Sequence, residues 1–266
     1  MIVAAARSGA RCAYVTRLGD DAFGRLFLEL WRTEGVDASG VSLDRDAPTG
    51  AYFVTHGPGG HVFSYLRAGS AASRMRPENL PLDLIRQAKF VHASGISLAI
   101  AEPATQAALS ATRGKVSFDS NLRLKLWPLE RARGAITRAA ALADYFFPSL
   151  EDARALSGKD AEEANLDWAH ALGAKNVFLK LGAEGVWVSD GGKRERIAGH
   201  KVQAVDATGA GDCFCGAALA RLAAGDLIWE AARYANAAAA LATTGYGAVA
   251  PLPRPEAVRR LLASSA

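Results

Sequence analysis

The sequence predicts an α/β fold in which a mostly parallel sheet is covered by helices on both faces. Three observations carry this. Short apolar runs of strand character alternate along the 266 residues with segments of helix length. A glycine-rich turn late in the chain joins a strand-like stretch to a long run of small residues. Half the residues are hydrophobic and 22% are charged, the balance of a folded chain rather than a disordered one. No apolar run reaches the roughly 18 residues that a membrane helix needs. A single domain over residues 1–266 is expected.

The elements follow in order. Ile2–Ala6 is a helix-like apolar stretch with no Ser, Thr, Asp or Asn cap before it. Cys12–Thr16 reads as a strand. Phe23, Leu26, Phe27, Leu30 and Trp31 share one helical face, and Gly35 follows as a stop signal. Ala51–Thr55 and His61–Leu66 flank Gly57-Pro58-Gly59-Gly60 and read as a hairpin. Such a hairpin, about residues 49–67, does not join a parallel core easily. It projects as a lid or lies at a sheet edge. Strand candidates Phe90–Ala93, Val116–Asp119, Tyr145–Phe147 and Val177–Lys180 come next, each gap between them long enough for a helix. Gly185–Ser189 and Arg194–Ile197 form a second hairpin around Asp190-Gly191-Gly192.

Charge and cysteine usage narrow the function classes. The net charge is +4 and the isoelectric point about 9.0, but Lys and Arg are dispersed among acids, which argues against nucleic acid and suits a small anionic substrate. Cys12, Cys213 and Cys215 have no metal-site spacing, and Cys213 and Cys215 are too close in sequence to bridge easily. A reducing cytoplasm is the simplest setting. The five histidines are scattered, so no residue is assigned to a protein-held metal.

Asp206-Ala207-Thr208-Gly209-Ala210-Gly211-Asp212 lies between a strand-like stretch, Lys201–Val205, and a small-residue helix, Cys213–Ala224. A glycine loop that opens a helix presents backbone N–H groups at the positive helix end, which makes an anion site. The chain has no Gly-x-x-x-x-Gly-Lys-Ser/Thr string, and the loop lacks the third glycine of a dinucleotide fingerprint. Asp212 at the helix start is either a cap or a general base beside a bound phosphate.

Asp206–Asp212 with Gly216-Ala217-Ala218-Leu219 resembles the second signature of the ribokinase-like (PfkB) sugar kinases over fourteen positions. Ala207 departs from the family's usual Thr, Ser, Pro or Val. Gly9, Gly19 and Gly19-Asp20-Asp21-Ala22-Phe23-Gly24 resemble the tail of the first signature. The resemblance spans essentially the whole chain and implies ATP-dependent phosphorylation of a sugar hydroxyl. Asp212 is then the base, and Gly209, Ala210 and Gly211 form the anion hole. Mg²⁺ arrives with ATP. On the nucleotide side the resemblance implies Ser149 and Asp152, at the places of an Asn-x-x-Glu motif, together with Lys180, Gly182, Gly185, Thr208 and Asn236.

Within that family the chain looks most like the 2-keto-3-deoxygluconate kinases. The resemblance is carried by Tyr52, by Tyr65-Leu66-Arg67 before Ala68-Gly69-Ser70-Ala71-Ala72, and by Asp119-Ser120-Asn121-Leu122-Arg123. It implies that Tyr52, Tyr65, Arg67, Asn121, Arg123 and Asp212 hold the sugar acid. A guanidinium fork matches a carboxylate, and tyrosines add hydroxyls and flat faces. A fructokinase and an inactive sugar- or nucleotide-binding relative are the alternatives. Family analogy also implies a homo-oligomer through the lid, with no nucleic-acid or membrane partner. Relatives carry some tens of residues before the first signature, including a first core strand. The expectation is therefore that the natural protein starts upstream of Met1, and that a chain beginning at Met1 is poorly active.

Overall fold

A computed structural model describes residues 1–57 and 60–264, with the side chains of 56–63 left undescribed. The strands are β1 (Thr16–Gly19), β2 (Val41–Asp44), β3 (Ala51–Gly57), β4 (Gly60–Leu66), β5 (Phe90–Ser94), β6 (Lys115–Asp119), β7 (Tyr145–Phe147), β8 (Asn176–Lys180), β9 (Gly185–Ser189) and β10 (Arg194–Ala198). The helices are α1 (Ile2–Arg7), α2 (Ala22–Thr33), α3 (Leu82–Gln87), α4 (Gly95–Ala111), α5 (Leu129–Ala141), α6 (Leu150–Ser157), α7 (Glu162–Ala171), α8 (Ala210–Ala224), α9 (Ile228–Ala242) and α10 (Pro255–Ser264).

Six strands form the central sheet in the order β10-β9-β8-β7-β6-β5. β5 to β8 run parallel, and β9 and β10 add an antiparallel edge. Alternate side chains of these strands feed two cores. Phe147, Phe178, Val186 and Val188 pack with α1, α8 and α9. Phe118, Phe146, Val177 and Leu179 pack with α4 to α7. Neighbouring residues such as Phe146 and Phe147 therefore face opposite cores, as a period of two requires. The expected α/β sheet with helices on both faces is present.

Three expectations need correction. The first strand begins at Thr16 rather than Cys12. Before it a single bridge joins Ala13 to Asp37, and β1 pairs only with β2, apart from the central sheet. Lys201–Val205 is not a strand, because its end bonds to the segment after α9: Val205 and Asp206 both donate N–H to Thr243 O, at 2.7 and 3.0 Å. The apolar stripe on α2 is only partly core. Trp31 is buried, while Phe23, Leu26 and Phe27 are 56%, 66% and 41% exposed. The two-stranded β1–β2 ribbon is too narrow to cover a stripe that spans a quarter or more of a helix.

β3 and β4 pair antiparallel with Tyr52 opposite Tyr65 and make a separate two-stranded sheet. The expected hairpin is therefore present. Pro58 and Gly59 at its tip lie outside the described residues. Among the described residues no helix is long and apolar enough to cross a membrane.

Candidate active site

The parallel strands β5, β6, β7 and β8 end at Ser94, Asp119, Phe147 and Lys180. Sites of open α/β sheets gather at these carboxyl ends, and the anion loop lies there too. Gly209 sits at φ +78° and caps α8, a conformation a side chain disfavours. A Cβ on Gly209 would also stand 3.1 Å from Ala248 Cβ. Asp206 fixes the loop from below: Oδ1 accepts Thr208 N–H at 2.9 Å and Oδ2 accepts Gly247 N–H at 2.8 Å. The N–H groups of Gly211 and Asp212, in the first turn of α8, have no backbone partner among the described residues. They are the free donors of a helix start. The Asp212 side chain is 49% exposed, open to a ligand, with Oδ1 3.9 Å from the Met1 amino group. Gly216 explains its place in the signature: a Cβ there would lie 2.4 Å from Met1 O and 3.0 Å from Ala4 Cβ, so α1 packs directly on α8. The hydroxyl of Thr208 is buried without a partner among the described residues.

A second group of expected site residues is gathered by the hairpin and β1. The Arg67 guanidinium lies 5.4 Å from the Tyr52 ring centre and 5.9 Å from that of Tyr65, a cation–π clamp. Arg67 and Ser70 line a cavity of about 140 Å³ with Tyr14, Thr49 and Gly50. Arg67 Nε and Ser70 Oγ are buried there without partners among the described residues. Sequence reasoning missed Tyr14 and Ser70. Tyr14 packs on Trp31 with the ring centres 4.7 Å apart and the rings tilted by 31°, and its hydroxyl pKa is pushed up by burial and then by the charge of Asp212, against the pull of Arg67. Tyr14 thus lies in the electrostatic reach of both functional groups. Its one early signal was an aromatic before the Gly19 motif. On the other side of Tyr52, a cavity of about 430 Å³ opens between the hairpin and the anion loop, lined by Val54, Thr208, Tyr246 and Ala248.

Asn121 follows β6 at φ +30°, the one non-glycine residue with positive φ among those described. Its side-chain Oδ1 is buried without a partner among the described residues. Arg123 is exposed, and Nη1 donates to the adjacent Leu122 O at 2.9 Å. The structure thus groups Tyr52, Tyr65 and Arg67, but leaves Arg123 turned onto its own turn.

The residues read as nucleotide contacts fall into two sets. Gly209, Ala210, Gly211 and Thr208 stand at the anion loop. The others have structural duties. Ser149 caps α6, its Oγ accepting Asp152 N–H at 3.0 Å. Asp152 Oδ2 accepts from Ser120 Oγ at 2.6 Å and from Leu122 N at 3.1 Å. Lys180 Nζ donates to Asp119 Oδ1 at 2.8 Å. Burial is the largest single influence on Lys180 and would lower its pKa, but the charge and hydrogen bond of Asp119, joined by Cys215 and Asp152, together outweigh it and hold the ammonium above its ordinary value. Gly182 sits at φ +63°, and a Cβ on Gly185 would lie 2.1 Å from Ile197 O, so that glycine lets β9 and β10 pair. Asn236 Nδ2 donates to Ala198 O at 2.7 Å and ties α9 to β10.

Comparison with known proteins agrees with this arrangement. The model for pfkB family carbohydrate kinase matches residues 1–255. A 2-dehydro-3-deoxygluconokinase of Thermoproteus tenax is 39% identical, covering 98% of this chain and 82% of the relative. Fructokinase-2 of Oryza sativa subsp. japonica is 34% identical over 99% of this chain and 83% of its own. Among solved structures, the fructokinase of Vibrio cholerae with fructose, ADP and calcium bound aligns at TM-score 0.89 and 30% identity, covering 98% of this chain and 88% of that one. An E. coli protein with ATP and Mg²⁺ bound aligns at TM-score 0.91 and 27% identity, covering 99% of this chain and 86% of that one. With a family model matched over residues 1–255 and a relative 39% identical over nearly the whole chain, this chain belongs to the pfkB family of carbohydrate kinases.

Proposed function

We propose that the chain transfers the terminal phosphoryl group of ATP to a hydroxyl of a sugar acid, with 2-keto-3-deoxygluconate as the acceptor and its 6-phosphate as product. The observation that carries the acidic acceptor is Arg67, clamped by Tyr52 and Tyr65 with a buried, unpartnered Nε over the smaller cavity. A buried donor on a fixed cation asks for an anionic acceptor. The relative from Thermoproteus tenax, named for this substrate, supports the same choice.

In this reading Asp212 takes the proton of the attacking hydroxyl. The hydroxyl oxygen forms a bond to the terminal phosphorus as the bond to the ADP oxygen breaks. The N–H groups of Gly211 and Asp212 hold the charge on the transferring group. An ordinary aspartate is a weak base, which suffices because phosphoryl transfer is loose and charge stabilisation dominates. Among the described residues no three acidic, His or Cys side chains converge on one point. Mg²⁺ therefore fits as a companion of the nucleotide, held by phosphate oxygens and water, where it neutralises phosphate charge. The exposed Arg123 favours a second reading, a neutral ketose such as fructose, because only one of the two expected guanidinium groups lines the cavity.

The test is ATP turnover with 2-keto-3-deoxygluconate, fructose, ribose and adenosine side by side. The sugar acid should give the highest kcat/KM. A higher value for fructose would replace the first reading by the second.

A further inference from the structure

We propose that Lys180 and Asp119 form a buried charge brace that positions the Asn121–Arg123 turn for the acceptor, so that Lys180 serves the sugar side of the site rather than the nucleotide. This rests on the acceptor site proposed above.

Lys180 ends β8 and Asp119 ends β6, with β7 between them in the sheet. The Lys180 side chain spans that strand end to bring Nζ within 2.8 Å of Asp119 Oδ1, and the two side chains are 14% and 3% exposed. The same Oδ1 accepts the N–H of Asn121 at 3.3 Å. One carboxylate oxygen therefore binds both the lysine and the first residue of the turn. Asn121 needs such a hold, because its φ of +30° is unfavourable for a residue with a side chain. Asp152 secures the next link by accepting Leu122 N–H. Gly95 closes the third side: a Cβ there would stand 2.1 Å from Ser120 O and 3.2 Å from Asn121 O, so the turn sits directly on backbone.

The turn is thus held by three elements, yet Asn121 Oδ1 is buried with no partner among the described residues. A buried acceptor of this kind is costly unless something donates to it. In the proposed function that donor is a hydroxyl of the bound sugar. Among the described residues the lysine has no acceptor other than Asp119, apart from a weak approach to Cys215 Sγ at 3.9 Å. Its ammonium also lies 3.6 Å from where a Gly211 Cβ would be, so the brace touches the floor of the anion loop.

The test uses the full chain and the sugar that wild type phosphorylates best. Lys180→Met alone strands the Asp119 charge and endangers folding. The neutral pair Lys180→Met with Asp119→Asn avoids this. That pair should raise the acceptor KM about ten-fold while the affinity for a non-hydrolysable ATP analogue, read by calorimetry, stays within about two-fold. Lys180→Arg should keep the acceptor KM within about three-fold of wild type, because it retains the charge. Combined with Asn121→Ala, the paired variant should add little to the loss from Asn121→Ala alone, since both act through one turn. Weaker analogue binding with an unchanged acceptor KM would overturn the brace, as would additive losses. Hydrogen exchange at the Asn121 and Leu122 amides separates the two claims. If wild type phosphorylates no sugar, the function fails, while faster exchange in the paired variant still supports the brace and unchanged exchange overturns it.

Discussion

Ser120 donates its hydroxyl to Asp152 Oδ2 at 2.6 Å. That bond joins the residue after β6 to the first turn of α6, and it redefines a motif. Ser149 and Asp152 are the residues that the family resemblance sets at an Asn-x-x-Glu motif. The shorter Asp side chain stays close to α6 and turns onto Ser120 and Leu122, and the Ser149 hydroxyl caps the helix. Burial raises the Asp152 pKa and the nearby Asp119 charge adds to this, while the Ser120 and Leu122 bonds oppose both. The carboxylate is occupied in holding the turn from Ser120 to Leu122.

Asp152→Ala should therefore weaken the acceptor more than the nucleotide. Removing the acceptor of two buried bonds costs about 1–3 kcal/mol, an acceptor KM roughly ten-fold higher. Asp152→Asn keeps an oxygen for both donors and should stay within about three-fold of wild type. Steady-state KM values for sugar and ATP check this. A rise confined to the ATP KM would return Asp152 to the phosphate side.

Asp212→Asn should keep the fold and nucleotide affinity and lower kcat by about 10²–10⁴. The side chain is half exposed at the start of α8, so its removal strands no buried partner. Turnover within a few-fold of wild type would leave Asp212 as a helix-start residue only.

Arg67→Ala should lower kcat/KM for the sugar acid by about ten-fold to more than a hundred-fold, the loss of a charged hydrogen bond worth about 1.5–3 kcal/mol. Use of fructose should fall less. Arg123→Ala tests the exposed guanidinium. If Arg123 swings from Leu122 O onto the acceptor, its loss matches that of Arg67→Ala. If it stays on its own turn, as the structure has it, the acid and fructose fall together by less than about three-fold.

The sheet was legible because strand ends follow side-chain period. Tyr145–Phe147 and Gly185–Ser189 were read to the residue, and β5, β6, β8 and β10 to within one. Pairing was not legible, since nothing in Thr16–Gly19 says whether it joins the central sheet or only β2. The anion loop was legible from its paired glycines, of which Gly209 takes the positive φ that favours glycine. Tyr14, Ser70 and the Lys180–Asp119 pair were not. Only the fold brings Tyr14 onto Trp31, Lys180 onto Asp119 and Ser70 into the cavity with Tyr14, and single-residue patterns carry no trace of that.

His92 should make the protein acid-sensitive. Burial pushes its imidazole down to about 3, against the opposing charge of Asp212, while the unfolded value is near 6.5. The folded protein therefore holds His92 neutral where the unfolded chain takes a proton. The stability this gives is fully present above pH 6.5 and is lost as pH falls toward 3. His92→Gln can still bond Ser117 Oγ, the partner of Nδ1 at 2.8 Å, but cannot titrate. Urea midpoints at pH 7 and pH 5 should differ more for wild type than for the variant. Equal differences would remove His92 from the acid response.

Arg7 should be the residue through which α1 supports the anion loop. Its Nη2 donates to Glu34 Oε1 at 2.6 Å, and Nη1 donates to Val249 O at 3.1 Å and Leu252 O at 2.7 Å. The two charged side chains are 12% and 7% exposed. Arg7 thus joins α1, the end of α2 and the segment that follows Ala248, whose Cβ limits Gly209. Arg7→Met leaves Glu34 buried with the exposed Arg254, 3.7 Å from Oε2, as its remaining cation, which costs about 1–3 kcal/mol. Arg7→Met with Glu34→Leu should return most of that loss, because no charge is stranded. The Arg7 bond holds the Glu34 pKa below its usual 4.5. Its stability is present above pH 4.5 and is lost as pH falls through the lowered value. The functional consequence separates this bond from a merely stabilising one. Both variants release Val249 and Leu252, so both should raise the ATP KM, even where the double variant unfolds at the wild-type urea concentration. A double variant with restored stability and a wild-type ATP KM would show that the anion loop is held without Arg7.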